Sequence, residues 1–195
     1  RLLKDAKLYR YVFADQFTPR STYDPNHESK LTSQPGQEIL SRPIRETDEE
    51  ALAAFFYSLS DETIRRRWLG PRQHLSHREL LNYLRVDDER NVALVLETIP
   101  EGEQAPEIIG VGRYHASNET NLADVAVLIG DDYQGQGLGA QLFLRLSQIA
   151  QTSGLDGFTA SVLTENGAMM KIFRSSKFEL SETREGTTYE VTIFF

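Results

Sequence analysis

Hydrophobic residues in the middle of the chain occur in three short runs that polar turns separate. The runs cover 92–99, 108–115 and 122–129, and their length and β-branched content are typical of strands. The turns between them, at 100–102 and 118–121, are short, and short connections join antiparallel neighbours. The pattern therefore predicts an antiparallel meander.

Ahead of the meander, apolar residues recur mostly at the spacing of amphipathic helices. One strand is predicted over 38–45, and helices are predicted over 51–59, over 60–67 and around 80–84. Two pairs of residues have the spacing of capping boxes at helix starts, Thr47 with Glu50 and Ser76 with Glu79.

The first part of the chain has a different composition, with several prolines and polar clusters. We expect residues 1–38 to form an N-terminal arm or linker with a short helix near residues 1–8. One domain is expected over 39–195. The sequence does not begin with Met, and we expect it to be part of a longer polypeptide with a domain fused upstream.

After the meander, predicted helices and strands alternate. Helices are predicted over 138–152 and 165–176, and strands over 158–163, 178–183 and 189–195. The first of these helices joins the last meander strand to the next strand, as a right-handed parallel crossover. The order of elements thus predicts a mixed α/β fold whose sheet is antiparallel in its first half.

Charge and composition exclude several classes of function. The 29 acidic and 21 basic residues give a net charge of −8, which repels phosphate backbones and argues against a nucleic-acid partner. An acidic surface suits cationic acceptors such as amines. The chain has no Cys, which excludes thiolate metal sites and Cys nucleophiles, and no metal site is predicted. The absence of Cys is consistent with a reducing cytoplasm, which is the expected location. No signal peptide and no membrane span are predicted.

A glycine-rich segment, Gln-Gly-Gln-Gly-Leu-Gly at 134–139, lies between the last meander strand and the helix over 138–152. Glycines let the backbone turn tightly, so several N–H groups can point into one small volume. The helix N-terminus adds unpaired donors and positive partial charge, which favour a phosphate. The segment is therefore predicted to bind a phosphorylated cofactor.

The same glycines also satisfy a dinucleotide-binding pattern, G-x-G-x-x-A, through Gly135, Gly137 and Ala140, with Asp156 at a suitable distance. That motif opens a doubly wound sheet of repeated strand–helix units, whereas antiparallel strands precede the glycines here. No Lys-Ser or Lys-Thr follows them, which excludes a P-loop. A glycine-rich turn without a ligand is the remaining alternative.

Two stretches of the sequence carry a family resemblance. Gln134, Gly137 and Gly139 match the signature Q/R-x-x-G-x-G/A, and the string VLTENGAMM with Phe178 matches the Asn-containing region downstream of it. Over residues 39–195 the chain resembles the GNAT-type N-acetyltransferases. These two stretches and the early string RPIRETDEE are most similar in sequence to the acetyltransferase domain of bacterial protein-lysine acetyltransferases and related fusion proteins.

The resemblance implies a central mixed sheet of about six to seven strands with flanking helices. Acetyl-CoA would bind where the strands over 122–129 and 158–163 splay apart. The backbone of 127–129 would pair with the pantetheine arm, and the N–H groups of 134–139 would hold the pyrophosphate. Asn166 would contact the cofactor; a helix N-cap is its purely structural role, and the two roles are compatible. The implied cofactor-binding residues are Val127, Leu128, Ile129, Gln134, Gly135, Gln136, Gly137, Leu138, Gly139 and Asn166.

The reaction that the resemblance implies is direct attack of a primary amine on the thioester, with a protein lysine as one acceptor. Asp124 is the predicted general base, because its apolar neighbours in the strand leave its side chain free to face the cleft. A strand-end residue in solvent is its alternative role. An amide near Leu128 would polarise the thioester carbonyl. Glu165 and His115 are the other candidates for the base.

Two positions depart from the family pattern. Phe173 stands where many relatives carry a Tyr that protonates the leaving thiolate, and Lys177 replaces a Gly before Phe178. A thiolate with a pKa of about 8.5 leaves without an acid, so activity is compatible with Phe173. The missing Tyr keeps a second function open, a regulatory module of a larger enzyme that binds acetyl-CoA without turnover.

Overall fold

The structure, a computed structural model, describes residues 24–72, 76–84, 86, 90–100 and 102–195. The short helix expected near residues 1–8 lies outside these ranges. Within them, eight strands form one sheet in the order β1-β2-β3-β4-β5-β6-β8-β7. The strands are β1 Ser29–Thr32, β2 Glu38–Pro43, β3 Asn91–Thr98, β4 Ile108–Ala116, β5 Leu122–Ile129, β6 Gly157–Leu163, β7 Glu179–Glu185 and β8 Thr188–Phe194.

The sheet confirms the predicted mixed topology. The strands β3, β4 and β5 form the expected antiparallel meander, and the crossover places β6 parallel to β5. All other neighbouring strands are antiparallel. The described sheet has more strands than the expected six to seven because β1, which the pattern did not predict, pairs with β2.

Helices cover the two faces of the sheet unequally. They are α1 Glu49–Ser58, α2 Asp61–Trp68, α3 His77–Leu84, α4 Leu138–Thr152 and α5 Gly167–Ser175. One apolar cluster joins α4 and α5 to strands from β2 to β8. The second cluster joins α1 and α3 to β3, β4 and β5, with α2 packed against it. On the sheet face that carries the second cluster, β6 and β8 have polar side chains, and this cluster does not extend over them.

The two predicted capping boxes have different outcomes. Ser76 and Glu79 form the expected box before α3, with the Ser76 N–H donating to the carboxylate at 2.9 Å and the Glu79 N–H donating to the hydroxyl at 3.3 Å. The box of Thr47 with Glu50 was a wrong prediction, because Asp48 takes the capping role instead. Its carboxylate accepts from the Arg45 N–H at 2.7 Å.

Asp48 is held in place by a buried arginine. Arg42 on β2 donates two hydrogen bonds to Asp48, at 2.8 and 3.0 Å, and two to Glu97 on β3, at 2.7 and 3.0 Å. Burial disfavours the charged guanidinium, but these bonds outweigh it and raise the pKa of Arg42. The buried charge is thus fully compensated, as a stable fold requires.

The strands β5 and β6 part after a short parallel ladder. They pair only from Leu122 with Gly157 to Asp124 with Thr159, whereas β4 pairs with β5 as far as Ile129. The second half of β5 therefore has an open edge towards β6. This confirms the predicted splay and leaves a wedge-shaped gap in the middle of the sheet.

Candidate functional site

The glycine-rich segment connects the open end of β5 to α4. After a short turn over 131–133, the chain passes through Gly135 and Gly137, which have φ angles of +73° and +80°. These angles lie in the left-handed region that favours glycine. Gly137 is the N-cap of α4 and has no side chain to cap the helix.

The segment leaves a row of backbone N–H groups without acceptors. In the described part of the chain, the six N–H groups of residues 135–140 form no hydrogen bond, and the first helical bond runs from the Gln141 N–H to the Gly137 carbonyl at 3.2 Å. Gln134 and Gly135 are exposed, so the segment is open to solvent. Six adjacent free donors at a helix N-terminus have the geometry and the partial charge that suit an anion. We call these residues, 135–140, the cradle.

Gln134 does not belong to the cradle, which corrects its predicted role as an N–H donor to the pyrophosphate. Its N–H donates to the Asp131 carbonyl at 3.3 Å. Its side-chain amide donates to Thr63 Oγ1 at 3.0 Å and to the Ile129 carbonyl at 3.1 Å. Gln134 therefore anchors the segment to α2 and to the end of β5.

Asp131 fastens the segment to α2 a second time. Its carboxylate accepts from the Ser60 N–H at 2.9 Å, the Ser60 hydroxyl at 2.6 Å and the Thr63 hydroxyl at 2.7 Å. Burial alone would raise the pKa of Asp131, but these hydrogen bonds outweigh it and lower the pKa. The carboxylate is thus engaged by α2 and does not compete for the cradle.

The other side of the segment contacts the β1–β2 turn and α5. The Gln34 N–H donates to the Gln136 carbonyl at 3.0 Å. A Cβ on Gly139 would lie 3.1 Å from Ile172 Cδ1, which is closer than side chains usually pack. Gly139 therefore allows α4 and α5 to approach each other beside the cradle.

The pairing of β4 with β5 decides which amides of β5 face the gap. The Ser117 N–H donates to the Leu122 carbonyl, and the Gly130 N–H donates to the Ile109 carbonyl, so even-numbered residues of β5 bond to β4. Bonding direction alternates along an antiparallel strand.

This alternation corrects the predicted role of Leu128. The peptide groups of Leu128 bond to Val111 on β4, and its side chain is buried under α1 and α3. The N–H and carbonyl of Val127 and the N–H of Ile129 point to the open edge, whereas the Ile129 carbonyl accepts from the Gln134 side chain. The amide that could polarise a carbonyl in the gap is therefore that of Val127 or Ile129.

Asp124 lies where the gap begins, at the last parallel pair with β6. Its side chain is exposed, on the sheet face that α1 to α3 only partly cover, and it lies opposite His115 on β4. Desolvation by the surrounding protein raises the pKa of Asp124, while Arg67, Arg113 and His115 oppose this shift. Asp124 forms no hydrogen bond or ion pair with a described residue, so its carboxylate is available as a base.

Asn166 and Glu165 lie on the other side of the gap, between β6 and α5. Asn166 Oδ1 accepts from the Met169 N–H at 3.2 Å, so Asn166 is the N-cap of α5. Its contact with the cofactor stays a prediction. Glu165 forms an ion pair with Arg65 of α2. This ion pair connects the two sides of the gap, and it makes Glu165 a poor candidate for the base.

The two departures from the family pattern have structural explanations. Phe173 is buried in the core, with its ring 5.2 Å from that of Phe143, and does not reach the gap. Lys177 has a φ of +67°, the conformation that a Gly adopts without strain.

Sequence reasoning missed Arg67 and Arg113 as residues near Asp124. They come from α2 and β4, which are distant in sequence, and no local motif links them. A sequence signal for Arg113 was its position inside the mostly apolar run over 108–115.

Metal-binding and membrane-spanning features are both absent from the described ranges. No group of three His, Asp or Glu side chains there is arranged to hold a metal ion. None of the described helices combines the length and the apolar character that crossing a bilayer requires.

Known proteins are similar to this chain over a region that includes the glycine-rich segment. Residues 39–179 match the family profile described as Acetyltransferase (GNAT) domain. Acetyltransferase PA5475 from Pseudomonas aeruginosa is 35% identical over 119 residues, which cover 61% of this chain and 63% of that protein. Acetyltransferase Pat from Mycolicibacterium smegmatis is 35% identical over 138 residues, which cover 70% of this chain and 40% of that protein.

A solved structure gives the same result for the fold. The GNAT domain of S. lividans PAT matches with a TM-score of 0.79 at 26% identity, over 89% of this chain and 99% of that one. The chain spans less than two thirds of the length of both curated relatives. The family match covers well over half of the sequence. This chain therefore belongs to the GNAT family of acetyltransferases.

Proposed function

We propose that this chain transfers an acetyl group from acetyl-CoA to a primary amine, the ε-amine of a protein lysine, by direct attack. The observation that carries the proposal is the row of six free N–H groups beside the gap between β5 and β6. Such a row suits the diphosphate of coenzyme A, and an open strand edge suits its extended pantetheine arm. The residues present thus fit this cofactor.

Each part of the site has a distinct task. The cradle binds phosphate oxygens through its N–H groups. The N–H and carbonyl of Val127 and the N–H of Ile129 pair with the amides of the pantetheine arm, in the manner of an added strand. The bound cofactor supplies an acetyl thioester, which the same strand edge orients towards Asp124.

Asp124 lowers the cost of using an amine as the nucleophile. A lysine amine has a pKa of about 10.4, so deprotonating it at pH 7 costs about 4–5 kcal/mol. Asp124 accepts that proton, directly or through a water. Its raised pKa makes its carboxylate a stronger base than that of a fully solvated Asp.

The remaining charges of the reaction are also accommodated. As the amine nitrogen bonds to the acetyl carbon, the carbonyl oxygen becomes negative and accepts a hydrogen bond from the Val127 or Ile129 amide. The C–S bond then breaks, and coenzyme A leaves as a thiolate. Because its pKa is about 8.5, this thiolate leaves without a Tyr at position 173.

The choice of a protein lysine rests on charge and access. A net charge of −8 attracts cationic segments of other proteins. The face that carries Asp124 continues onto Thr159, Ser161 and Glu190, which are exposed or half-buried, so a polypeptide can reach it. The upstream fused domain stays a prediction. The Pat protein of M. smegmatis, of which this match covers 40%, is much longer than this region.

Release of free thiol from acetyl-CoA, measured with lysine peptides and lysine-bearing proteins, tests the proposal. We expect saturable turnover that Asp124→Asn reduces strongly, while calorimetry shows an acetyl-CoA affinity within about twofold of the wild type. Turnover at the wild-type rate in Asp124→Asn would contradict the assigned base. The absence of turnover with every amine would contradict the enzymatic function.

A second function, a module that binds acetyl-CoA without turnover, is favoured by one observation. Phe173 faces the core, so no Tyr acid can act from that position. In that case calorimetry would show acetyl-CoA binding to the cradle, and the thiol assay would stay at background with all acceptors. The two measurements together separate the functions.

A further inference from the structure

We propose that the acceptor carries a carboxylate near its reacting amine, and that Arg113 and Arg67 bind this carboxylate. For the protein lysine of the proposed function, on which this inference rests, the carboxylate belongs to an Asp or Glu close to the modified lysine. The basis is a pair of arginines that lie beside Asp124 and have no anionic partner among the described residues.

Arg113 extends from β4 onto the sheet face that carries Asp124. It pairs with Ala126 on β5, so Arg113 and Asp124 are diagonal neighbours on one face. Its guanidinium carbon lies 5.0 Å from the centre of the Tyr83 ring, and Nη1 reaches the Asn82 carbonyl at a long 3.4 Å. Among the described residues no carboxylate forms an ion pair with Arg113. Most of its five N–H donors therefore have no acceptor in the part of the chain that the structure describes.

Arg67 approaches the same place from α2. Its Nη2 donates to the Tyr83 hydroxyl at 3.3 Å, so the two guanidinium groups contact one tyrosine, at its hydroxyl and over its ring. The preceding residues, Arg65 and Arg66, both form ion pairs with Glu62. Arg67 has no such pair with any residue that the structure describes.

No described residue supplies an anion to this pair of arginines. Two nearby cations repel each other, and burial adds a desolvation cost. Burial first, and then Arg67, lower the pKa of Arg113, although Tyr83 and Asp124 oppose the shift. Asp124 lies too far away to form an ion pair with either arginine, and Glu190 accepts a hydrogen bond from Ser161 instead. A ligand carboxylate can accept paired hydrogen bonds from a guanidinium and remove this cost.

The spacing also suits the chemistry. Diagonal neighbours on adjacent antiparallel strands have Cβ atoms about 7 Å apart. A carboxylate bound to Arg113 therefore leaves room for a neighbouring amine to reach Asp124.

The test uses peptides with one Lys and a single Glu at each of the three positions before or after it. Every Glu peptide has a partner in which Gln replaces the Glu. Thiol release gives kcat/KM for each, and the Glu/Gln ratio is compared between proteins. For the wild type we expect one position to give a ratio of about ten or more, mainly through KM. Arg113→Gln and Arg67→Gln are each expected to bring that ratio towards one.

Comparing ratios within one variant removes the effect that losing a cation has on Asp124, because both peptides experience it equally. Arg145→Gln, which changes the same charge on α4, is the matched control and should keep the wild-type ratio. Arg67→Gln provides an independent result if Arg113→Gln does not fold. Ratios near one at every position in an active wild type would overturn this inference and leave the proposed function intact. No turnover with any peptide would overturn both.

Discussion

Replacing Gly137 by Val tests the cradle through its backbone. Gly137 has a φ of +80°, where an L residue costs about 1–2 kcal/mol and a β-branched one is an outlier. A Cβ there would meet only Gln34 Cγ at 3.8 Å and Gln141 Nε2 at 3.9 Å, so space is available. The strain lies in the backbone, and the variant relieves it by rotating the peptide groups on either side.

Gly154→Val is the matched control. Gly154 has a φ of +78° and follows the other end of α4, and a Cβ at this position would meet no atom of a described residue within 4 Å. Each variant is expected to lose about 2 kcal/mol of stability, or roughly 4–8 °C in Tm for a chain of this size. Only Gly137→Val displaces the cradle. A hydrogen bond to a charged group contributes about 1.5–3 kcal/mol, so losing one raises the Kd for coenzyme A about 10- to 150-fold.

Two measurements check this prediction. Isothermal titration calorimetry gives the Kd of coenzyme A for the wild type and both variants, and differential scanning calorimetry gives Tm. We expect similar losses of Tm in both variants and a loss of affinity only in Gly137→Val. An unchanged Kd in a folded Gly137→Val protein would refute the reasoning, because the conformation at 137 would then have no influence on phosphate binding.

Three further substitutions have defined outcomes. Asp124→Asn is expected to lower kcat about 10²- to 10⁴-fold and to raise Tm. Because the native pKa of Asp124 exceeds the unfolded one, its contribution to stability falls as pH rises through that interval, and Asn avoids this loss. Because a general base must be deprotonated, wild-type kcat/KM should fall as the pH drops through the raised pKa of Asp124. A pH–rate profile that stays flat on its acid side would exclude this base. Glu165→Gln should change kcat in the thiol assay less than about threefold, since the carboxylate is held by Arg65; a larger loss would return Glu165 to the candidates for the base. Lys177→Gly is expected to raise the free energy of unfolding, measured in urea, by about 0.5–1 kcal/mol, because Gly adopts the left-handed φ of this position without strain. A lower free energy of unfolding would show that the Lys177 side chain stabilises the fold.

The elements that sequence predicted well are those with local causes. The meander has apolar runs bounded by short turns, and these two features alone favour antiparallel pairing. The glycine segment was recognised because only glycine adopts the φ angles of 135 and 137 without strain. β1 was missed because three of the four residues of Ser29–Thr32 are polar, and the strand depends on pairing with β2.

Features that depend on tertiary contacts could not be predicted in this way. Thr47 and Glu50 have the spacing of a capping box, but buried Arg42 orients Asp48, and the carboxylate of Asp48 then accepts from the Arg45 N–H. The spacing rule does not include a side chain from a neighbouring strand. The same limit applies to the arginines near Asp124, which are brought together by the packing of α2 and α3 on the sheet.

The assignment of Leu128 shows how one turn controls the chemistry of the site. The bond from the Ser117 N–H to the Leu122 carbonyl closes the β4–β5 turn and sets which residues of β5 face β4. A shift of the register by one residue would turn the amides of Val127 and Ile129 towards β4. The same shift would turn every side chain of β5 to the opposite face of the sheet, so Asp124 would leave the face that carries Thr159 and Ser161. The family motif locates the strand, whereas the register of this turn determines which of its amides and side chains can reach the gap.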